Sequence, residues 1–290
     1  MDDGQGIRTT VFLKGCSLRC PWCCNPENLR SGSQIYFHGK KCLESRGMEC
    51  RRCSDGAMYA GGYLMLNTSF RFSEAEGKRR YLAQCPVEAV GVCGAEVSCG
   101  DIIACLQKDR EYFEGSSGGV TFSGGEPLLY DLAACLKEIR AGGFHIAVET
   151  SLHVPLEFVR RNGPYIDLFI VDVKILESEL CRQILGVRNP QQYFNNVQYV
   201  LASGKESVFR FPVVEPYTLN ERNIEALIVF IRRYGIKTLE IFSVHNLARE
   251  KYLSLGLGFT AFDAVSAERL ASLKRRIEEK TGITVRLLEI

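Results

Sequence analysis

From residue 101 onward, short apolar runs alternate with stretches in which apolar side chains recur every three or four positions. Runs rich in β-branched residues are typical of buried strands, whereas the longer periodicity is typical of helices. The pattern predicts strands over 9–13, 120–122, 145–148, 168–173, 208–214, 238–242 and 284–288. It predicts helices near 102–106 and over 129–141, 221–234 and 267–280. Such alternation predicts an α/β fold, a partial or full barrel of parallel strands connected by helices.

Residues 31–100 interrupt this alternation. They are rich in Gly, Ser, Arg and Cys and have weak periodicity, as a small inserted unit would. We therefore predict three parts: residues 1–30 begin the barrel, 31–100 form a cysteine-rich insert, and 101–290 complete the barrel. In a barrel of this kind ligands bind at the carboxyl ends of the strands, so motifs at those ends are candidate binding residues.

Composition adds little to this picture, except for the cysteines. The 290 residues are 46% hydrophobic and 24% charged, with a net charge of +2, which favours neither nucleic acid nor an anionic membrane as a partner. No apolar run reaches the roughly 18 residues that span a bilayer. Met1 is followed by Asp2 and Asp3, unlike a signal peptide, so we expect a cytoplasmic location.

Thirteen cysteines is an unusual number, and most of them fall in the first third of the chain. An odd count in a reducing compartment argues against a disulfide framework and for metal binding. Cys16, Cys20 and Cys23 are separated by three and then two residues. Thiolates suit iron–sulfur clusters and zinc, and a four-iron cluster usually takes four cysteines. Three cysteines in one tight loop would leave one iron open to a small molecule; Cys24 is interpreted as a neighbour rather than a fourth ligand.

The C-x3-C-x2-C spacing resembles the signature of radical S-adenosylmethionine (SAM) enzymes. Its flanks, the run Asp3-Gly4-Gln5-Gly6-Ile7-Arg8 before it and Asn25-Pro26 after it, resemble the glycyl-radical-enzyme activating family, of the pyruvate formate-lyase activating enzyme type. The alternatives are a zinc knuckle or a buried thiol cluster. The resemblance implies a partial (β/α)6-type TIM barrel with a small cysteine-rich, ferredoxin-like insert.

The resemblance also assigns roles to residues at the predicted strand ends. In Ser123-Gly124-Gly125-Glu126-Pro127, glycines allow close backbone approach to a ligand, and Gly124 and Gly125 would hold the SAM amino group with Glu126 nearby. In Asp172-Val173-Lys174, Lys174 would meet the SAM carboxylate, since two opposite charges at the end of an apolar strand are costly to bury without partners.

Three further positions belong to the same implied pocket. Glu149, followed by Thr150, would accept hydrogen bonds from the ribose or help to hold a small cation; the alternative is a glutamate in solvent at a strand end. Arg210 indicates a phosphate, a carboxylate or an acidic side chain as its partner. His245 precedes a Lys-Tyr-x-x-Leu-Gly run at 251–256 that matches the family, which favours a role in the SAM pocket.

The insert carries its own candidate metal ligands. Activating enzymes often have a ferredoxin-like insert here, and in bacterial ferredoxins the last cysteine of one run ligates the other run's cluster. By that logic one auxiliary [4Fe-4S] cluster would be held by Cys42, Cys50, Cys53 and Cys85, with Cys93 or Cys99 able to replace a ligand. The alternatives are an insert without a cluster and a four-cysteine zinc site.

The resemblance implies an anaerobic oxidoreductase. It would cleave SAM reductively at a [4Fe-4S] cluster, and the resulting 5′-deoxyadenosyl radical would abstract a hydrogen from a glycine of a partner glycyl radical enzyme. A flavodoxin- or ferredoxin-type protein would donate electrons, and residues 3–8 would line the path of the partner's loop. The alternatives are a radical SAM enzyme that modifies a small molecule or a ribosomal peptide, and a non-catalytic iron–sulfur or zinc protein.

Overall fold

The computed structural model describes residues 4–43, 46–48, 57–60, 63–66 and 85–288. The strands are β1 Arg8–Leu13, β2 Gln34–Phe37, β3 Ala57–Ala60, β4 Tyr63–Leu66, β5 Val90–Cys93, β6 Gly119–Gly124, β7 His145–Thr150, β8 Leu168–Asp172, β9 Glu206–Val213, β10 Thr238–Ser243 and β11 Thr284–Leu287. The helices are α1 Cys99–Lys108, α2 Arg110–Ser116, α3 Ala133–Ala141, α4 Leu156–Asn162, α5 Ser178–Leu185, α6 Gln191–Ala202, α7 Glu221–Tyr234, α8 Arg249–Ser254 and α9 Ala267–Thr281.

The main sheet contains seven of the described strands, all parallel, in the order β1-β6-β7-β8-β9-β10-β11. Its edge strands β1 and β11 do not pair with each other in the described residues, so the sheet is an open barrel. The predicted α/β fold and partial barrel are therefore confirmed. Each predicted strand of the main sheet agrees with an observed strand to within two residues at either end.

The helix predicted over 129–141 starts four residues later than expected. Pro127–Leu129 forms a separate 3-10 turn, and α3 begins only at Ala133. The turn forms because Pro127 occupies its first position and the Glu126 side chain accepts a hydrogen bond from the amide of Leu128. Five helices of the described residues have no counterpart among the ranges given from the sequence: α2, α4, α5, α6 and α8.

The hydrophobic core lies between the strands and the surrounding helices. Alternate residues of the central strands, such as Phe122, Val148 and Phe211, are fully buried against α3, α6 and α7. The strands of a parallel sheet that is covered by helices in this way have nearly continuous apolar sequences. A smaller cluster of Leu18, Trp22, Ile175, Cys181, Leu185 and Val214 packs beside the cysteine loop.

The described part of the 31–100 stretch consists of antiparallel pairs: β2 with β5, and β3 with β4. Cys42 and Cys85 both pack against one small cluster made by Phe37, Ala89 and Val90. Cys50 and Cys53 lie outside the described residues. The ferredoxin-like character of the insert stays a prediction.

Cys99 is bonded to Cys135 in a disulfide between the first turn of α1 and helix α3. The sequence argued against disulfides and treated Cys99 as a spare ligand for the insert. The interpretation of Cys99 as a spare ligand is wrong, because its sulfur is already in a covalent bond.

In the described residues, no helix has both the length and the apolar character needed to cross a bilayer.

We predict that Asn223→Ala destabilises the fold by about 2–4 kcal/mol, because it removes one buried partner from several backbone groups. The Asn223 side chain is fully buried; Oδ1 accepts from the amide of Leu176 at 2.8 Å, and Nδ2 donates to the carbonyls of Thr218 at 3.0 Å and Lys174 at 3.2 Å. Denaturant unfolding measures the change. Arg222→Ala removes a surface ion pair with Glu177 from the same helix and is expected to cost less than about 1 kcal/mol; equal losses in the two variants would refute this role of Asn223.

Candidate active site

A cavity of about 370 Å³ opens at the carboxyl ends of the parallel strands. The cysteine loop after β1 lines one side of it, and the ends of β6, β7, β8, β9 and β10 line the others. The predicted residues that line it are Cys16, Cys20, Cys23, Gly124, Gly125, Glu149, Thr150, Asp172, Lys174, Arg210 and His245. Cys24 lines it as well. The structure thus brings together residues that are spread over 230 positions of the chain (16 to 245).

The cysteine loop is held by the backbone of β6. The amide of Gly125 donates to the carbonyl of Leu13, and that of Glu126 donates to the carbonyl of Gly15, both at 2.8 Å. A Cβ at Gly125 would lie 2.1 Å from the Gly15 oxygen and 2.7 Å from the Asn28 oxygen. Only glycine fits such a contact, because backbone atoms cannot withdraw as a flexible side chain can.

The three cysteines are half-buried in the cavity wall, which affects the protonation of their thiols. Burial raises the pKa of Cys20 and of Cys23 to about 12, and it raises the pKa of Cys16 as well. Thiolates are the metal-binding form, so the positive charge of bound iron would have to displace these protons. In the part of the chain that the structure describes, no three His, Cys, Asp or Glu side chains are arranged to hold a single metal ion. A four-iron cluster makes no such demand, since its cysteines bind different irons. The soft, half-buried set of three thiols fits such a cluster.

Glu126 does not line the cavity, although the sequence placed it there. It is fully buried behind the ends of β6 and β7. Its carboxylate accepts hydrogen bonds from the Thr150 hydroxyl at 2.7 Å, the Ser151 amide at 2.8 Å and the Ser151 hydroxyl at 2.6 Å. Burial raises the pKa of Glu126, and these donors oppose that rise. The residue therefore joins two strand ends from behind, and Thr150 and Ser151 form the surface that faces the cavity.

Asp172 and Lys174 form an ion pair at the end of β8, with Nζ and Oδ2 2.9 Å apart. Their side chains are only 21% and 15% exposed. Burial lowers the pKa of Lys174, but the Asp172 carboxylate beside it outweighs this effect and holds that pKa well above its usual value. The ammonium group therefore stays charged beside the cysteine loop.

Arg210 has acidic side chains as its partners, one of the three possibilities that the sequence left open. Its Nε lies 2.8 Å from Glu240 Oε2, and its guanidinium lies 3.6 Å from Glu149 Oε1. Ser123 donates to the other oxygen of Glu149. One polar network on the inner face of the barrel thus joins β6 and β7 to β9 and β10, across the intervening strand β8.

His245 lies just beyond β10, where its Nδ1 accepts a hydrogen bond from the amide of Leu247 at 3.3 Å. A neutral ring with Nδ1 as acceptor carries its proton on Nε2. The histidine therefore both caps the following 3-10 turn and contributes to the cavity wall.

Sequence reasoning missed Ser151, Glu240 and the loop contacts of Lys251 and Tyr252. Glu240 could have been found from the sequence, because it is the charged residue at an alternate position between the buried Leu239 and Ile241.

The described part of the predicted loop path, residues 4–8, lies at the other end of the sheet from the cavity. Arg8 pairs in register with Gly119 and bonds to the Thr121 hydroxyl, whereas Leu13 pairs with Gly124 beside the cavity. The part of residues 3–8 in the path of the partner's loop stays a prediction.

Comparison with known proteins identifies the family. The model of a 4Fe-4S single cluster domain matches residues 2–84. The (2S)-3-sulfopropanediol dehydratase activating enzyme of Klebsiella oxytoca is 33% identical over 89% of this chain and 83% of its own length. The isethionate sulfite-lyase activating enzyme of Desulfovibrio desulfuricans is also 33% identical, over 88% and 83%. The chain belongs to the glycyl-radical-enzyme activating family. It is therefore a radical SAM enzyme that uses a [4Fe-4S] cluster and SAM to generate a 5′-deoxyadenosyl radical, which abstracts a hydrogen from a glycine of a partner glycyl radical enzyme.

Solved structures agree with the fold of this activating enzyme. A radical SAM methyltransferase from Sphaerobacter thermophilus superposes with a TM-score of 0.51 at 16% identity, over 66% of this chain and 57% of that one. SuiB of Streptococcus suis bound to S-adenosylmethionine gives 0.50 at 14% identity, over 68% and 44%. At such low identity the likeness shows the fold alone.

We predict that Gly125→Ala displaces the cysteine loop, because its Cβ would overlap two backbone oxygens. The variant should lose about 1–3 kcal/mol of stability and bind clearly less iron after anaerobic reconstitution. Gly115→Ala in α2 is the matched control, since nothing lies within 4 Å of a Cβ built there. Iron and sulfide analysis with denaturant unfolding tests this; wild-type iron content in Gly125→Ala would contradict the close packing.

Proposed function

We propose that Cys16, Cys20 and Cys23 each ligate one iron of the [4Fe-4S] cluster, and that SAM takes the remaining position. The observation that carries this proposal is the meeting of these three thiols with all but one of the predicted SAM residues in one cavity. The cluster, when bound, supplies the electron that cleaves SAM. The protein supplies binding, orientation and the exclusion of water.

The chain's own residues divide this work. The Lys174 ammonium, held in place by Asp172, would bind the SAM carboxylate, and the end of β6 at Gly124 and Gly125 would receive the amino group. Thr150 and Glu149 lie at the next strand end, where they would accept a hydrogen bond from a ribose hydroxyl. Arg210, also in the cavity wall, holds Glu149 in place. His245 closes the cavity from β10. Trp22 and Leu18 bring apolar surface to the cysteine loop and keep water from the thiols.

We infer that the partner's glycine loop enters between the open edges of the sheet. Phe12 on β1 and Leu247 after β10 line the cavity and are 49% and 77% exposed, which leaves apolar surface for a peptide. Two activating enzymes similar to this chain are named for partners that act on small organic molecules, and we propose a partner of that kind. A flavodoxin- or ferredoxin-type electron donor and the cytoplasmic location remain predictions, as does the absence of nucleic acid and membrane partners.

We also propose that the 31–100 insert holds one auxiliary [4Fe-4S] cluster. Cys42 and Cys85, from opposite ends of the insert, pack against the same small cluster of Phe37, Ala89 and Val90, and this supports their inclusion in one ligand set. Cys50 and Cys53 would complete it. Cys93 is the remaining substitute, because Cys99 is bonded to Cys135.

The activity is tested by mixing the reconstituted, reduced enzyme with SAM and a candidate partner under anaerobic conditions. We expect 5′-deoxyadenosine and a glycyl radical signal in the electron paramagnetic resonance (EPR) spectrum of the partner, and neither with Cys20→Ser. Cys105→Ser, at an exposed thiol on α1, should behave as wild type. SAM cleavage that is unchanged in Cys20→Ser would refute the assignment of the cluster ligands.

Removal of an auxiliary ligand should have a different signature. In Cys85→Ser we expect about four fewer irons per chain than in wild type, with SAM cleavage by dithionite-reduced enzyme retained, because the cavity thiols are intact. Loss of one tightly bound zinc in place of the iron would favour the zinc alternative. Unchanged iron and zinc contents would contradict the auxiliary site.

A further inference from the structure

Helix α8 lies against the second half of the cysteine loop, residues 23–28. The first half of the loop and its two ends are held by backbone hydrogen bonds: Gly15 to Asn28 and Glu126, and Arg19 to Leu185. In the second half, side chains of α8 take over this task. Consecutive residues of the helix, Lys251 and Tyr252, reach loop residues more than 220 positions earlier in the chain.

Tyr252 contacts the loop at a proposed cluster ligand. Its hydroxyl donates to the carbonyl of Cys23 at 3.0 Å. The side chain is almost buried, at 8% exposed, and its ring meets that of Phe259 edge-on with centroids 5.4 Å apart.

Lys251 contacts the next residues of the loop. Its Nζ lies 2.6 Å from Glu27 Oε1 and 2.8 Å from Asn25 Oδ1. The other carboxylate oxygen of Glu27, Oε2, is buried and has no hydrogen-bond partner among the described residues. A carboxylate in that position depends on a close cation, because burying an uncompensated charge is costly. Lys251 therefore stabilises the loop by compensating the charge of the Glu27 carboxylate.

We propose that Tyr252 and Lys251 are positioning residues that fix residues 23–28 and set the electrostatic environment of the cluster at Cys23. The inference rests on the proposed role of Cys23 as a ligand. Hydrogen bonds and oriented dipoles around cysteine ligands tune the potential of iron–sulfur clusters. The Tyr252 hydroxyl presents the positive end of its dipole to the Cys23 peptide and so favours the reduced, more negative cluster.

Tyr252→Phe tests this, because it removes only the hydroxyl. In the reconstituted enzyme we expect iron content and thermal midpoint close to wild type, a cluster potential shifted to more negative values, and SAM cleavage about five-fold slower. The matched control is Tyr112→Phe, at a tyrosine that is 62% exposed on α2. A potential and a cleavage rate equal to those of wild type would overturn the proposal for Tyr252.

Lys251 is tested by a pair of variants. Lys251→Met should broaden or shift the EPR signal of the reduced cluster and slow SAM cleavage, whereas Lys251→Arg, which keeps the charge, should restore both. Equal behaviour of Met and Arg would overturn the electrostatic role. Cys23→Ser distinguishes a failure of the ligand set from a failure of the positioning role. If this variant keeps a full cluster that responds to SAM, the proposed ligand set is wrong. If it loses that cluster while the Tyr252 and Lys251 variants behave as wild type, only the positioning role is wrong.

Discussion

The active site depends on one close approach of two backbones. The end of β6 lies directly against the cysteine loop, with the amides of Gly125 and Glu126 bonded to the carbonyls of Leu13 and Gly15. No side chain separates them, because the Cβ of any other residue at position 125 would overlap the Gly15 oxygen. This contact places the loop at the carboxyl ends of the strands, where the other cavity residues lie. Glu126 makes this contact more rigid from the side away from the cavity, because its buried carboxylate accepts hydrogen bonds from residues at the end of β7.

The remaining side chains balance charge around a cavity that is partly closed to water. Lys174 is paired with Asp172, and Arg210 lies between Glu149 and Glu240. Each cation is therefore held in one orientation before any ligand binds, which lowers the entropy lost when a zwitterion such as SAM enters. The three half-buried thiols complete the arrangement, since they become good ligands only when positive charge reaches them.

Local features of this site could be predicted from the sequence, and contacts between distant segments could not. Three motifs each lie at one strand end and can be recognised from a few consecutive residues: the cysteine spacing, the Gly-Gly pair and the Asp-x-Lys pattern. Glu126 was placed in the cavity because its motif borders it; its burial depends on the conformation of the Pro127 turn. The Lys251–Glu27 pair and the Cys99–Cys135 bond join separate elements, so their formation follows from packing, which no local pattern records.

A cysteine loop with three ligands leaves one iron of the cluster for SAM. Mössbauer spectroscopy of enzyme reconstituted with 57Fe, recorded with and without SAM, tests it most directly. We expect SAM to change the isomer shift and quadrupole splitting of a single iron site while the thiolate-ligated sites keep theirs. A spectrum that SAM leaves unchanged, or an identical SAM-induced change in Cys20→Ser, would contradict it.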